Sequence, residues 1–250
     1  MPTKRDPMTL GQDILAAFGL LTRLPLPPHR PVGAPAAWAW PIVGMVVGGI
    51  AGLAGWATQG LGAGVAAGVV LATQAMLTGA MHEDGLADTA DGLWGGWTRE
   101  RRLAIMKDSH IGSYGVLALL LVTLVRWSAV TALIAGGQWA AVIVAGALSR
   151  VPMAVLMALM PNARRSGLSQ AVGRPAFGPV MTAMVLALLA GTLLVGPVAT
   201  LQAALLAALP CAALALVARA KIGGQTGDIL GAAQQLAEAA VLGALVASIA

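Results

Sequence analysis

The sequence predicts an all-α membrane protein, a polytopic bundle of about seven transmembrane helices preceded by an N-terminal amphipathic helix. Of its 250 residues, 58% are hydrophobic and only 10% are charged, whereas soluble domains carry about 25% charged residues. So few charges on a soluble surface would leave large apolar patches exposed. Aromatic residues make up 4% of the chain, and its apolar residues form long unbroken runs rather than the alternating strands of an outer-membrane barrel.

Seven segments are long enough to cross a hydrocarbon core, which takes about 20 helical residues. They are residues 37–58, 61–80, 114–135, 139–160, 177–195, 198–218 and 229–249. Before them, residues 8–21 place apolar side chains at helical spacing but are too short to span, which predicts an interfacial amphipathic helix. We therefore treat 1–250 as a single membrane domain whose residues 1–36 are a cytoplasmic or interfacial segment.

The charges predict which way the bundle is oriented. The links after the first, third and fifth spans are short and uncharged, whereas 13 of the 15 basic residues lie in the N-terminal segment and the other three loops. By the positive-inside rule, the N-terminus and these loops face the cytoplasm. We expect a multi-pass protein of a bacterial inner membrane, with the lipid bilayer rather than nucleic acid accounting for the net charge of +5.

Two spans carry glycines at every fourth position. These are Gly44, Gly48 and Gly52 in the first span, and Gly60, Gly64 and Gly68 at the second. Residues four apart share a helix face, so each ladder predicts close backbone packing between helices. Such faces would also permit helix-mediated homo-oligomers.

The loop of residues 81–113 holds six of the ten acidic residues of the chain. Asp84, Asp88 and Asp91 stand at i, i+4 and i+7, so on a helix their carboxylates share one face. Like charges stacked in this way repel one another unless a cation lies among them. Mg²⁺ prefers such oxygen ligands, and the single nearby histidine, His82, with no cysteine, is a poor zinc ligand set.

Further polar residues flank the other long loops. Asp108 and Asp228 each precede a span, and Gly223 and Gly224 could let backbone N–H groups approach an anion. Glu238 lies deep in the last span and is expected to bond to Arg126 or Arg150, which are the two basic residues inside spans. The paired Arg164 and Arg165 are candidates for binding a diphosphate. Acids, cations and glycines on one membrane face together favour phosphoryl transfer to or from a cytoplasmic diphosphate.

The acidic loop also resembles a known family. The segments His82-Glu-Asp-Gly-Leu-Ala-Asp-Thr-Ala-Asp-Gly92 and Arg101-Arg-Leu-Ala-Ile-Met-Lys-Asp-Ser-His-Ile-Gly112 are similar to cobalamin synthase, the adenosylcobinamide-GDP ribazoletransferase family. Thr22-Arg-Leu-Pro-Leu-Pro27, Ala163-Arg-Arg-Ser-Gly167 and Gly223-Gly-Gln-Thr-Gly-Asp228 resemble its other landmarks, in order along nearly the whole chain.

The resemblance implies a Mg²⁺-dependent transfer. The cobinamide-phosphate group of adenosylcobinamide-GDP would pass to a hydroxyl of α-ribazole or its 5′-phosphate, with GMP leaving. Asp84, Asp88 and Asp91 would bind the metal, and Asp108 and Asp228 would complete the site as ligands or base. His82 would be a base or the partner of an aspartate, and the diphosphate would be held by Lys107, Arg164, Arg165 and Lys221, with Gly223 and Gly224.

Two other functions compete with this one. CDP-alcohol phosphotransferases also cluster aspartates at the membrane, but Leu93-Trp-Gly-Gly96 stands where their pattern needs Ala-Arg. An ion-coupled transporter would place its acids near the membrane midplane in broken helices, whereas these acids lie almost all in loops on one face.

Overall fold

The computed structural model describes residues 7–248, with side chains described from Leu10 onward. The first six residues of the predicted cytoplasmic segment and the last residue of the predicted seventh span lie outside this part. The described residues form eleven α-helices. They are α1 (Pro7–Leu21), α2 (Trp40–Ala57), α3 (Ala63–Thr78), α4 (Met81–Gly95), α5 (Arg99–Ile105), α6 (Ser113–Ala135), α7 (Ala140–Leu159), α8 (Leu168–Val172), α9 (Phe177–Val195), α10 (Pro197–Ile222) and α11 (Gly227–Ala247).

Six helices are long and apolar enough to cross a membrane: α2 with the 3-10 turn Ala34–Ala39 before it, α6, α7, α9, α10 and α11. The helices α3 and α4 pass the same test only when taken together as a bent pair, so the number of spans is six to seven, which agrees with the prediction of about seven. The two helices meet at an angle of 89°. Because α4 carries four acidic side chains in 15 residues, we count it as lying outside the spans.

The bend between α3 and α4 is built into the backbone. Gly79 (φ 65°) and Ala80 (φ 54°) are both left-handed, a conformation that ends a helix readily at glycine and at some cost at alanine. A side chain at Gly79 would also approach the guanidinium of Arg23 to 2.6 Å. The chain therefore turns sharply where the sequence changes from apolar to acidic.

In the first glycine ladder Gly44 and Gly48 pack as predicted but a Cβ on Gly52 would meet nothing within 4 Å, and most of the second ladder does not pack. Gly44 faces the main chain of Gly146 in α7 so closely that a Cβ on either residue would clash with the carbonyl of the other. At Gly48 a Cβ would lie 2.6 Å from the carbonyl oxygen of Val142. In the second ladder only Gly64 faces a neighbour, the Trp127 ring at 3.1 Å. That prediction of backbone packing was wrong, because an indole fills the space between the helices.

The N-terminal helix α1 confirms the predicted helix over residues 8–21. Its Asp13 is buried and accepts a 2.8 Å hydrogen bond from the indole N–H of Trp38. The connector that follows reaches the end of α3, where the N–H of Arg23 donates to the carbonyl of Leu77 at 2.7 Å. The N-terminal segment thus lies at the same end of the bundle as α4.

The three charged loops also meet at this end. Main-chain hydrogen bonds join the loops after α7 and α10: Ala163 donates to Gln225 at 2.8 Å, and Gln225 donates to Pro161 at 2.9 Å. From α5, the Arg99 guanidinium donates to the carbonyl of Ala163 at 2.7 Å and to that of Ile222 at 3.0 Å. The predicted convergence of the charged loops is therefore confirmed.

Candidate active site

Close contact between α4 and α11 positions the acidic side chains. A Cβ on Gly85 would lie 2.9 Å from the carbonyl oxygen of Asp228 and 3.2 Å from the Cα of Gly231. A Cβ on Gly231 would in turn lie 3.2 Å from the Cα of His82. The two helices thus touch backbone to backbone at glycines, and this contact carries the acidic face of α4 to the first turn of α11.

Asp84, Asp88 and Asp228 form what we call the carboxylate cluster. Burial, followed by the negative charges of Asp228 and Asp84, raises the pKa of Asp88 to about 7. Arg164 is the cation that pairs with the cluster, with its Nη1 3.0 Å from Oδ2 of Asp228. Thr226 caps α11 and donates to the same oxygen at 3.1 Å. Because Arg164 pairs only with Asp228 among these carboxylates, the cluster keeps an excess of negative charge.

Asp91 has other partners, although the sequence placed it on the same helix face. Its Oδ2 accepts from the N–H of Gly112 at 2.7 Å and its Oδ1 from that of Gly115 at 2.9 Å. Both oxygens thus cap the start of α6, where backbone N–H groups lack partners within the helix. These contacts remove Asp91 from the proposed metal-binding set, which leaves Asp84 and Asp88.

The carboxylate cluster provides only part of a coordination shell for a hard cation. Within residues 7–248, no three His, Cys, Asp or Glu side chains are gathered closely enough to form a ready-made metal site. Mg²⁺, however, is commonly held by one or two carboxylates together with substrate phosphates and water. The oxygen donors and excess negative charge of the carboxylate cluster suit that arrangement.

His82 points into the protein. It is buried, and its Nε2 has no hydrogen-bond partner among the described residues. It lines a recess next to Trp40, Met153 and Leu230. No hydrogen bond joins it to an aspartate in the described structure, so these contacts give the predicted partnership with an aspartate no support.

Asp108 lies at the surface. Its carboxylate is bonded to Nδ1 of His110 at 2.6 Å, and both side chains are exposed. This hydrogen bond lowers the pKa of Asp108 and raises that of His110. The predicted place of Asp108 in the catalytic centre has no support from these contacts.

The predicted phosphate-binding residues divide into two groups. Arg164 joins the carboxylate cluster, and Arg165 and Lys107 are exposed near the same end of the bundle. Lys221, in contrast, donates to the last-turn carbonyl of Leu93 at 2.7 Å and lies 4.5 Å from the Trp94 ring centroid. Its ammonium group thus caps the C-terminal end of α4, where a positive charge is favourable.

The two glycines have structural reasons of their own. Gly223 ends α10 in a left-handed conformation, with φ 80°, and its N–H donates to Arg219 at 3.1 Å. A Cβ on Gly224 would clash with the carbonyl of Pro161 and lie 3.2 Å from the nitrogen of Ala163. Gly223 is thus required to end the helix and Gly224 to let the loops pack closely, and neither requirement involves a bound anion.

Sequence reasoning missed the arginines of α5. Besides Arg99, Arg102 donates to the carbonyl of Lys221 at 3.2 Å. Together they fasten α5 to the loops after α7 and α10. The basic run Arg99-Glu-Arg-Arg102 next to the acidic loop was the available signal, but its partners are main-chain carbonyls, which no sequence pattern identifies.

A buried polar network lies behind the carboxylate cluster. Glu238 bonds to Arg126 at 2.9 Å and to Arg150 at 3.2 Å, which confirms the predicted pairing. Arg126 also lies 3.5 Å from Glu83, and Gln235 donates to Glu83 at 3.0 Å. Because Glu83 precedes Asp84, this network ties the start of α4 to α6 and α11.

Comparison with known proteins finds relatives along nearly the whole chain. A family model described as cobalamin-5-phosphate synthase matches residues 13–246. Similar curated proteins named adenosylcobinamide-GDP ribazoletransferase occur in Bradyrhizobium diazoefficiens (43% identity, 92% of this chain and 91% of that protein) and Mesorhizobium japonicum (41%, 98% and 96%). A third, in Azorhizobium caulinodans, is 44% identical over 92% of this chain and 93% of its own length.

No solved structure matches the fold. The family assignment therefore rests on sequence, and it covers nearly the whole chain at about 40% identity. The chain belongs to the cobalamin-5-phosphate synthase family.

Proposed function

We propose that this protein is an adenosylcobinamide-GDP ribazoletransferase. It transfers the cobinamide-phosphate group of adenosylcobinamide-GDP to a hydroxyl of α-ribazole or its 5′-phosphate and releases GMP. The observation that carries the proposal is the carboxylate cluster bonded to Arg164 where the charged loops meet. The names of the relatives supply the reaction, and the cluster supplies a site suited to phosphoryl transfer.

The reaction exchanges one phosphorus–oxygen bond for another. The acceptor hydroxyl attacks the phosphorus on the cobinamide side of the diphosphate, and the bond to the GMP oxygen breaks. Asp228, held in place by Arg164 and Thr226, would receive the hydroxyl proton. Arg164, with Arg165 and Lys107 at the surface, would bind the diphosphate oxygens, since guanidinium groups form paired hydrogen bonds with phosphate.

Mg²⁺ is part of the proposal. Asp84 and Asp88 would hold it, and substrate phosphates would complete its coordination. Bound there, Mg²⁺ would neutralise charge on the diphosphate. Burial is the main cause of the raised pKa of Asp88, and Mg²⁺ would offset the smaller contribution from the neighbouring carboxylates.

The proposed setting is a bacterial inner membrane, with the site facing the cytoplasm. Charge asymmetry supports this orientation, because the uncharged links lie at the opposite end of the bundle from the carboxylate cluster. Reporter fusions at Gly60, Gly137 and Gly196 should then report periplasm, and fusions at Gly96, Gly167 and Gly224 cytoplasm. Any reversal among these would contradict a site on one face.

The activity test uses purified protein in detergent with Mg²⁺, adenosylcobinamide-GDP and α-ribazole. We expect GMP release that requires α-ribazole and is lost in Asp84→Asn and Asp88→Asn. Glu100→Gln, which neutralises an exposed carboxylate of α5, is the matched control and should retain the rate. Release of CMP from a CDP-alcohol, or ion flux in liposomes with no nucleotide product, would support the competing functions instead.

A further inference from the structure

A large apolar cavity lies between α7, α9 and α10. Its volume is about 690 Å³, whereas an apolar cavity of about 150 Å³ already accommodates benzene. Near the link that joins them, α9 and α10 touch, since a Cβ on Gly191 would lie 2.6 Å from Cγ2 of Thr200. Further along, the two helices line the cavity with side chains such as Leu188 and Ala208. The cavity therefore has room for a long apolar group.

This cavity opens toward the bilayer. Leu159, Leu205 and Leu216 line it, and each is more than half exposed. Of the apolar stretch of each helix, only 22% is buried in α9 and 28% in α10, against 67% in α7 and 72% in α11. Because α9 and α10 thus lie at the periphery of the bundle, an apolar group would enter the cavity from the hydrocarbon core of the membrane.

The depth of the cavity suits a lipid of one leaflet. Its α7 wall lies within residues 148–160, which rise about 18 Å at about 1.5 Å per residue. One leaflet contributes about 15 Å to a hydrocarbon core of about 30 Å. A single acyl chain is therefore long enough to follow this wall.

Arg219 is the one charged residue that lines the cavity within the described part of the chain. It lies in the last turn of α10, and its exposed side chain forms no hydrogen bond or ion pair with the residues described. A second arginine, Arg174, lies near this end, because its Nε donates to the carbonyl of Ala158, next to Leu159, at 2.7 Å. The cavity thus combines apolar walls with positive charge at the end of the bundle where the charged loops meet.

We propose that the cavity binds one anionic phospholipid, with an acyl chain between α7, α9 and α10 and its phosphate on the guanidinium of Arg219. Guanidinium groups form paired hydrogen bonds with phosphate, and the apolar walls suit the chain. The lipid belongs to the leaflet on the side of the carboxylate cluster. In the proposed orientation this is the cytoplasmic leaflet, which carries the anionic lipids.

A second copy of the chain fits the cavity less well. A two-fold interface pairs each surface patch with itself, so two concave surfaces would face each other and leave the space unfilled. A lipid chain, in contrast, can bend to the shape of the walls.

The binding test compares phosphatidylglycerol, which is anionic, with phosphatidylcholine of the same acyl chains. Each is added to the purified protein in neutral detergent, without substrates or Mg²⁺. Native mass spectrometry should show one retained phosphatidylglycerol per chain, bound about fivefold more tightly than phosphatidylcholine, which is equivalent to about 1 kcal/mol. Phosphatidylglycerol should also raise the Tm more than phosphatidylcholine does, because a ligand that binds only the folded state stabilises it.

Two variants test the two parts of the site. Arg219→Gln should bind phosphatidylglycerol about fivefold more weakly, so that it no longer prefers it to phosphatidylcholine. Ala212→Phe places a ring in the cavity and should reduce the retention of both lipids. The matched controls are Arg101→Gln, at an exposed arginine of α5, and Ala213→Phe, at the neighbouring exposed alanine, which does not line the cavity. Both controls should bind lipid as the wild type does.

Equal retention of phosphatidylglycerol by the wild type and Arg219→Gln would overturn the inference. So would a dimer in gel filtration that Ala212→Phe dissociates without changing lipid retention, since a second copy would then occupy the cavity. Arg219 is exposed, so its variant gives a result even if Ala212→Phe fails to fold. Because no substrate takes part, lipid retention without GMP release would support this inference while contradicting the proposed function.

Discussion

Gly85→Ala tests whether the contact between α4 and α11 positions the carboxylate cluster. The added Cβ would lie 2.9 Å from the carbonyl oxygen of Asp228, whereas ordinary contacts begin near 3.4 Å. The helices must therefore separate by about half an ångström, because the obstacle is main chain and cannot rotate away. A misplacement of about 1 Å can cost about 10²-fold in rate, so we expect kcat to fall about tenfold.

Folding should survive this change. Alanine is favoured over glycine inside a helix by about 1 kcal/mol, which offsets part of the strain of about 1–3 kcal/mol. The assay is the initial rate of GMP release at saturating substrates, with far-UV circular dichroism and gel filtration in detergent to check the fold. Gly95→Ala is the control on the same helix, since its Cβ would meet only the Ile105 side chain at 3.7 Å. If the two variants are equally active, the close contact does not position the carboxylates.

Three further predictions follow from the same contacts. Without divalent cations, ionisation of Asp88 should lower the free energy of unfolding as pH rises from about 4 to 7, because its folded pKa of about 7 exceeds its unfolded value of 3.8. Thermal melts of Asp88→Asn should lack this pH-dependent loss of stability. In the wild type, Mg²⁺ should reduce the loss. Arg164→Gln should raise the KM for adenosylcobinamide-GDP about 10–100-fold, because a hydrogen bond to a charged group contributes about 1.5–3 kcal/mol. An unchanged KM would exclude Arg164 from diphosphate binding. Arg126→Gln should destabilise the protein by about 3–5 kcal/mol, because it leaves Glu238 without one of its buried partners. Denaturant unfolding would measure this loss of stability. If the losses of Arg126→Gln and Glu238→Gln simply add in the double variant, the two side chains are not energetically coupled.

The acidic loop shows how far local sequence reasoning reaches. The spacing of Asp84 and Asp88 predicted a shared helix face, and α4 is indeed a helix there. The same spacing predicted that Asp91 would join them, but the start of α6 takes both of its oxygens. Sequence spacing gives the direction of a side chain on its own helix and does not reveal which neighbouring helix end lies opposite.

The glycines show the same limit of inference from local sequence. Ladders of identical spacing occur at the first two spans, yet only Gly44 and Gly48 of the first pack backbone to backbone. The reason is that α7 presents Gly146 opposite Gly44, whereas α6 presents the Trp127 ring opposite Gly64. Gly85 and Gly231 belong to no ladder, but they allow the contact on which the site depends.

The sequence by itself determined the membrane class, the number of spans and the gathering of charge at one end, because hydropathy and charge asymmetry depend on short stretches of chain. It also carried the family resemblance. The resemblance had placed Asp228 in the site, but only the tertiary structure decided that Asp228 lies with Asp84 and Asp88 while Asp91 does not, and that His82 lines an apolar recess. Residues 88 and 228 are distant in sequence, and what brings them together is the fit of two helix backbones at glycines, a property of the pair that neither segment carries alone.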